Sequence, residues 1–330
     1  MTRPAALEVS GLVVRIGAHE ILSGIDLSVA AGEVVALLGP SGSGKTTLLS
    51  AVAGFLSSAA GEIRIAGELV SSPDRQAPPE RRSIGFVFQS YALWPHLTAR
   101  ETVAFPLRAA GIGEDDAGRR ADDILTALGI AELAGRRPAD MSGGQQQRVG
   151  VARALARDAG LYLLDEPTAH LDAATRRAAE AEIAAQREAR GAASLYATHD
   201  PTEALGLADR VALMRSGRIV QTGTPVEVYE RPVDEWAARL TGPVSVVEGS
   251  WPAGDAGGTR HGRVAIRPEW VRLEGSTPAT VAAVRFRGSF TDLTLDTAVG
   301  TIEARMPGAP QQRRGDAVTW EASRVWWLPD

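Results

Sequence analysis

Residues 34–49 read V-V-A-L-L-G-P-S-G-S-G-K-T-T-L-L, and this stretch decides the fold of the 330-residue chain. Residues 33–38 are predicted to form a strand, fully buried because 34–38 are continuously apolar, and Thr46–Gly54 predicts a helix after it. Between them, Gly39–Thr46 matches the phosphate-binding loop in the strand-to-helix context that this motif requires. Its glycines allow the backbone N–H groups to point at phosphate oxygens, and the helix N-terminus adds positive potential.

Lys45, within this loop, is the only lysine in a chain whose 35 basic residues are otherwise arginine. A lysine ammonium is a compact point charge, whereas an arginine guanidinium is a planar fork, so the exception indicates a site that needs the smaller cation. We expect Lys45 to reach the β- and γ-phosphates of ATP and the Thr46 hydroxyl to ligate Mg²⁺. The ATP-binding residues predicted here are Gly39, Pro40, Ser41, Gly42, Ser43, Gly44, Lys45, Thr46 and Thr47.

Composition narrows the possible classes of protein. A net charge of −5 and a pI near 5.7 disfavour general nucleic-acid binding, which requires a positive face. The chain contains no cysteine, which excludes disulfides and thiolate metal sites. Neither a signal peptide nor a run of roughly 20 apolar residues is found. We therefore expect a cytoplasmic protein that meets the membrane only through a partner.

Strand and helix patterns alternate along most of the chain, which favours an α/β core with parallel strands. From about Leu240 the composition changes, and residues 241–261 are rich in Gly, Pro and Ser. Beyond them, period-two alternation and turn residues predict a small all-β domain of the barrel type.

The predicted helices are 98–110, 114–128, 145–158 and 173–190, and the principal predicted strands are 7–14, 25–29, 84–88, 161–164 and 193–197. This organisation predicts three parts: a nucleotide-binding α/β domain at 1–240 with a helical subdomain at about 91–158, a linker at 241–261, and the β domain at 262–330.

Two further motifs carry polar groups suited to nucleotide chemistry. The apolar strand that begins at Leu161 ends in Asp165 and Glu166, and strand ends are where α/β sheets place catalytic groups. We expect Asp165 to hold Mg²⁺ and Glu166 to act as general base for the attacking water, although an acid pair before a proline also suits a helix cap. Ser142-Gly143-Gly144 precedes a helix and forms a second anion site, or, taken alone, an ordinary capped helix start.

The order of these motifs resembles that of ATP-binding cassette (ABC) proteins over roughly residues 5–235. The resemblance rests on the phosphate-binding loop, Gln89 after a strand, Met141–Gln145, the Asp165-Glu166 pair and His199 after a strand. It implies that two cassettes pair head to tail, so that Ser142, Gly143, Gly144 and Gln145 of one copy close over ATP bound to the other.

The resemblance also assigns roles that the residues alone leave open. Gln89 is then the residue that senses Mg²⁺ and water, which adds it to Thr46 and Asp165 as a metal-site residue. His199, which taken alone is more typical of a core histidine, becomes the group that contacts the γ-phosphate. Asp172 becomes the acid that links the two sites across the dimer.

Three positions depart from the family pattern. The family usually stacks an aromatic side chain on adenine upstream of the phosphate-binding loop, but Ile16 occupies that position here, with His19 close by. Since base–aromatic stacking contributes roughly 1–3 kcal/mol per base in single-strand binders, we expect weaker ATP affinity or base selectivity. Ala169 replaces a usual serine and Met141 a usual leucine, and neither change removes a catalytic group.

The fold class expected overall is an α/β P-loop NTPase cassette with a helical subdomain, followed by a small all-β OB-like (TOBE) domain. Residues 262–330 resemble the TOBE domain of importer ATPases for polyamines, iron, sulfate, molybdate and sugars, and residues 89–98 resemble the polyamine and iron branches. The β domain would either bind a regulatory ligand or only support the dimer.

The partners implied are a second copy, a transmembrane permease at the cytoplasmic face of the membrane and, indirectly, an extracytoplasmic substrate-binding protein. The alternative is a soluble ATP-driven switch that regulates a cytosolic protein without transport. Cassette proteins of DNA repair carry long coiled coils, which do not fit in the roughly 95 residues between the two phosphate-contacting motifs.

Overall fold

The structure, a computed structural model, describes residues 5–157, 159–167, 191–252 and 258–329. It divides between Pro225 and Val226 into two compact units, which we describe separately. The helix predicted at 173–190 lies outside the described residues, as do Asp172 and Ala169.

The first unit is built around a six-stranded sheet whose strands are parallel except for one strand at its edge. In sheet order its strands are β11 (Arg218–Gly223), β10 (Arg210–Arg215), β3 (Val34–Leu38), β9 (Ala193–Thr198), β8 (Leu161–Asp165) and β7 (Ile84–Val87). Every residue of β3, β8 and β9 is buried, which explains the continuous apolar runs that predict them. The carboxyl ends of β7, β8 and β9 consequently meet at one edge of the sheet.

A second sheet, antiparallel throughout, packs its apolar side chains into the same core. In sheet order its strands are β2 (His19–Ala30), β1 (Ala5–Ile16), β4 (Ala60–Ile65), β5 (Glu68–Ser72) and β6 (Arg75–Gln76). The first two strands are longer than predicted, because cross-strand pairs such as Arg15–Glu20 extend the hairpin past the apolar residues. Helix α1 (Lys45–Ala53) contributes Leu48, Leu49 and Val52 to this core.

The predicted helical subdomain is present and has its own apolar core. Its helices are α2 (Ala99–Ala109), α3 (Glu114–Ala127) and α4 (Gly143–Ala156). Outside the subdomain, the first unit also contains helix α5 (Pro201–Leu207). Helix α4 begins two residues before the predicted start, because Ser142 and Gln145 form a capping box that satisfies its first amides. No helix in the described ranges is long and apolar enough to cross a membrane.

The second unit is mainly β-structure and encloses a core with three tryptophans, Trp251, Trp270 and Trp320. One sheet contains, in order, β12 (Ser245–Pro252), β13 (Thr259–Ile266) and β18 (Trp326–Trp327). The other contains, in order, β16 (Gly300–Pro307), β15 (Phe290–Thr297), β14 (Val271–Phe286) and β17 (Ala317–Ala322). Helices α6 (Pro225–Glu230) and α7 (Glu235–Thr241) precede them. The predicted order of an α/β domain followed by a small β domain is confirmed.

The boundaries within this region differ from the sequence prediction. Residues 241–261 were expected to form a linker, but β12 lies inside that range and pairs with β13 from Ser245–Ile266 to Pro252–Thr259. Glycine, proline and serine dominate the composition there, yet alternate residues such as Val247 and Trp251 are buried in the β core. The strand forms because tertiary burial outweighs weak local propensity.

A buried arginine explains why residues 226–243 belong to the second unit. Arg267 is 1% exposed, and its guanidinium donates hydrogen bonds to the carbonyl oxygens of Tyr229, Ala238, Gly242 and Pro243 at 2.6–3.2 Å. Burial lowers the pKa of Arg267, so these acceptors are needed to hold its charge inside the protein. The single side chain thereby fastens the preceding helices to the β domain.

Candidate nucleotide-binding site

The phosphate-binding loop connects β3 to α1 and has a backbone that requires its glycines. Gly42 and Gly44 have φ values of 78° and 105°, in the left-handed region that side chains disfavour. A Cβ at Gly39 would lie 2.4 Å from the carbonyl oxygen of Met214 on β10. No side chain of the described residues caps the first turn of α1, so its amides are available to an anion.

Lys45 lies inside the curl of this loop and is 6% exposed. Its Nζ donates to the carbonyl oxygens of Gly39 and Pro40 at 2.7 and 3.1 Å. Burial lowers the pKa of Lys45, and the nearby carboxylates of Glu166 and Asp165 oppose that shift. The ammonium is thus held at the loop, where a phosphate chain would meet it.

A buried hydroxyl in the loop also fits contact with a phosphate group. Ser43 is 2% exposed, and its Oγ has no hydrogen-bond partner among the described residues. Buried hydroxyl groups almost always have partners, and a phosphate oxygen would supply one here.

Thr46 and Asp165 bring two oxygen ligands together beside the loop. The Thr46 Oγ1 donates to Asp165 Oδ1 at 3.2 Å, joining the start of α1 to the end of β8. Burial raises the pKa of Asp165, the hydrogen bond from Thr46 lowers it, and the neighbouring charge of Glu166 raises it further. A buried carboxylate beside a hydroxyl suits a hard divalent cation, since Mg²⁺ takes one or two protein oxygens together with phosphate oxygens.

Two predicted site residues contact the carboxylate of a third at the edge of the main sheet. Glu166 follows β8, and its two oxygens accept from Gln89 Nε2 at 3.2 Å and pair with His199 Nδ1 at 3.0 Å. Gln89 follows β7 and His199 follows β9, so adjacent strands place all three groups together. Glu166 has a φ of 47°, and its N–H donates to the carbonyl oxygen of Ala197 at 2.9 Å. Such strain at a polar side chain is typical of a functional position.

The Ser142–Gln145 segment faces away from the interior of its own chain. Ser142 and Gly143 are exposed, and the hydrogen bonds of Ser142 are local: its N–H donates to Gln145 Oε1 at 2.9 Å, and its Oγ accepts from Gln145 N–H at 3.3 Å. The segment is therefore presented at the surface, as an interface with a second copy requires.

Ile16 ends β1 and pairs with His19 across the hairpin. Its side chain is 51% exposed, so it is accessible to a nucleotide base. Asp172 remains a prediction, because it lies outside the described residues.

Sequence reasoning missed a hydrogen-bonded support behind His199. Glu203 is 8% exposed and its Oε2 accepts from Thr198 Oγ1 at 2.7 Å and from Tyr196 OH at 3.1 Å. Thr198 Oγ1 also accepts from the N–H of Asp200 at 3.0 Å. The sequence signal for this support was Glu203 itself, an acid in the first turn of a short helix. An acid is common at that position, so it does not point to a special role.

Comparison with known proteins decides the family. Residues 22–169 match the family model described as ABC transporter, and residues 264–329 match the TOBE domain. The spermidine/putrescine import ATP-binding protein PotA of Pseudomonas fluorescens is 41% identical over 259 residues, which cover 77% of this chain and 71% of that protein. The chain belongs to the ABC transporter family. It is also 40% identical to the Fe(3+) ions import ATP-binding protein FbpC of Streptomyces avermitilis over 86% of this chain and 85% of that protein.

Solved structures agree with this membership. A dimeric ATP-binding cassette in a post-hydrolysis state, bound to ADP and Pi, superposes on this ABC protein with a TM-score of 0.61 at 29% identity. The superposition covers 66% of this chain and 98% of the solved chain. The predicted resemblance to importer-type ATPases with a TOBE domain is confirmed, and this ABC protein binds ATP and is an ATPase.

Proposed function

We propose that this ABC ATPase powers substrate import through a separate membrane permease, by ATP-driven head-to-tail pairing of two copies. One observation carries the proposal: Gln89, Glu166 and His199 meet behind the phosphate-binding loop, while Ser142–Gly144 faces outward. The chain thus carries one set of hydrolytic groups and, apart from it, an exposed anion-binding segment that its own loop does not use.

The chemical roles follow from the contacts of each side chain. Lys45 neutralises the β- and γ-phosphates, and Thr46 and Asp165 would hold Mg²⁺. The metal, when bound, offsets negative charge on the phosphate oxygens. Glu166 accepts the proton of the attacking water, and Gln89 and His199, which both contact its carboxylate, orient that water and the γ-phosphate.

A second copy would complete the site. The exposed N-terminus of α4 offers Ser142 Oγ and the amides of Gly143 and Gly144 to a phosphate chain, and a helix N-terminus favours negative charge. We assign Gln145 to the same contact and Asp172 to the link between the two sites.

The proposed partners are the permease and, through it, an extracytoplasmic substrate-binding protein. Similar proteins are named for import of spermidine/putrescine, Fe(3+) ions and sn-glycerol-3-phosphate. We place the cargo in the polyamine or iron class, because residues 89–98 resemble those branches. The import names of the relatives disfavour a soluble switch that acts without a permease.

Co-purification from membranes tests the proposal. The tagged chain, expressed in its own host, is expected to co-purify with a membrane protein that has several transmembrane spans. When the two proteins are reconstituted together, ATP hydrolysis is expected to depend on the transport substrate. Full ATPase activity without any membrane partner, together with no retained membrane protein, would support the soluble switch instead.

A further inference from the structure

Arg153 is a buried charge that the proposed chemistry does not use. It lies in the last turn of α4 and is 8% exposed. Its Nη1 donates to the carbonyl oxygen of Ala92 at 2.6 Å, and its Nη2 donates to the carbonyl oxygen of Tyr91 at 3.0 Å. Burial lowers the pKa of Arg153, so the two carbonyl groups compensate a desolvated cation.

The turn that Arg153 contacts is strained. Tyr91 and Ala92 have φ values of 59° and 44°, so two consecutive residues with side chains occupy the left-handed region. The turn is closed locally by a bond from Ala92 N–H to the carbonyl oxygen of Ser90 at 2.7 Å. Such a conformation persists only when its surroundings hold it, and the fork of Arg153 supplies that support.

Aromatic rings on both sides of the turn hold the same guanidinium. The Arg153 Cζ lies 5.7 Å from the centre of the Phe88 ring and 5.3 Å from that of Trp94. Phe88 immediately precedes Gln89, whose Nε2 contacts the Glu166 carboxylate. One side chain of α4 therefore holds the chain both before and after Gln89.

The same helix presents Ser142 at its N-terminus, roughly 16 Å from Arg153 at 1.5 Å per residue. Both features therefore lie on one helix. We propose that Arg153 is a positioning residue that holds the turn after Gln89 against α4 and so keeps Gln89 in place beside Glu166. The inference rests on the proposed role of Gln89.

A second substitution that relaxes the strained turn distinguishes this role from general support of the fold. Arg153→Met removes both donors, and kcat for ATP is expected to fall at least tenfold with KM changed less than twofold. Ala92→Gly relaxes the turn and is expected to keep kcat within twofold of wild type. In the double variant the glycine adopts the turn unaided, and kcat is expected to recover at least fivefold over Arg153→Met.

Equal losses from Arg153→Met with and without Ala92→Gly would overturn the proposal, as would normal kcat in Arg153→Met. If Arg153→Met does not fold, Arg153→Lys is measured with and without Ala92→Gly. Because lysine has a single ammonium group, the expected loss of kcat is smaller, and Ala92→Gly is expected to restore it. A loss of kcat that Ala92→Gly does not restore overturns the proposal. Gln89→Ala is the reference for the proposed function. Normal kcat in Gln89→Ala refutes the proposed role of Gln89 itself. A low kcat in Gln89→Ala together with a normal kcat in Arg153→Met refutes only the inference about Arg153.

Discussion

Replacing Thr198 with valine is expected to slow ATP hydrolysis while leaving ATP binding close to normal. Thr198 ends β9 and precedes His199, and its hydroxyl makes two hydrogen bonds. It donates to Glu203 Oε2 at 2.7 Å and accepts from the N–H of Asp200 at 3.0 Å. One hydroxyl therefore closes the turn that carries His199, and valine removes it with little change in volume.

The magnitude follows from comparing two hydroxyls on the same acceptor. Tyr196 OH also donates to Glu203 Oε2, so Thr198→Val and Tyr196→Phe each delete one bond to a carboxylate, a loss of about 1.5–3 kcal/mol in stability. Only Thr198→Val also removes the bond from Asp200 N–H, which contributes about 0.5–1.5 kcal/mol. If that bond holds His199 in the transition state, kcat falls about 2- to 12-fold.

The assay is steady-state ATP hydrolysis, with kcat and KM measured beside the midpoint of thermal unfolding. Thr198→Ser keeps the hydroxyl and is expected to retain kcat near the wild-type value. Tyr196→Phe is expected to lower the unfolding midpoint and leave kcat unchanged. Equal losses of kcat in Thr198→Val and Tyr196→Phe would refute the reasoning, because they would trace the effect to Glu203 rather than to the turn.

Lys45→Arg is expected to lower kcat/KM for ATP about 10- to 150-fold, close to Lys45→Met, because loss of one charge-assisted bond costs about 1.5–3 kcal/mol; normal ATPase activity would show that the loop accepts either cation. Glu166→Gln is expected to bind ATP and pair with a second copy but to turn over about 10²- to 10⁴-fold more slowly, since it loses the base. Near-normal turnover in that variant would assign the base elsewhere. Ile16→Tyr is expected to tighten the Kd for ATP by up to about 150-fold through stacking of roughly 1–3 kcal/mol, and an unchanged Kd by calorimetry would remove Ile16 from the adenine position.

The phosphate-binding loop could be predicted completely from sequence, because every part of it is contiguous. A buried strand, a glycine turn and a helix start each depend on neighbouring residues, and residues 34–45 encode all three. The capping box at Ser142 is local in the same way, although the helix begins two residues earlier than predicted. Local signals of this kind specify both the backbone and the chemistry.

The boundary between the two units could not be predicted in this way. Residues 241–261 have the composition of a linker, yet β12 forms because it pairs with β13 and buries Trp251. The preceding helices join the same unit because the Arg267 guanidinium donates to two carbonyl groups of these helices and to two of the turn that follows them. Neither interaction leaves a periodic signal in the sequence.

The sequence by itself determined that this chain carries a phosphate-binding loop, an acid pair at a strand end and an exposed helix cap. Only the tertiary structure decided that Gln89 and His199, 77 and 33 residues from Glu166, contact its two carboxylate oxygens, and that Arg153 holds the turn after Gln89. The physical reason is that neighbouring residues specify a local backbone, whereas the order of strands in a sheet is set by packing between distant segments.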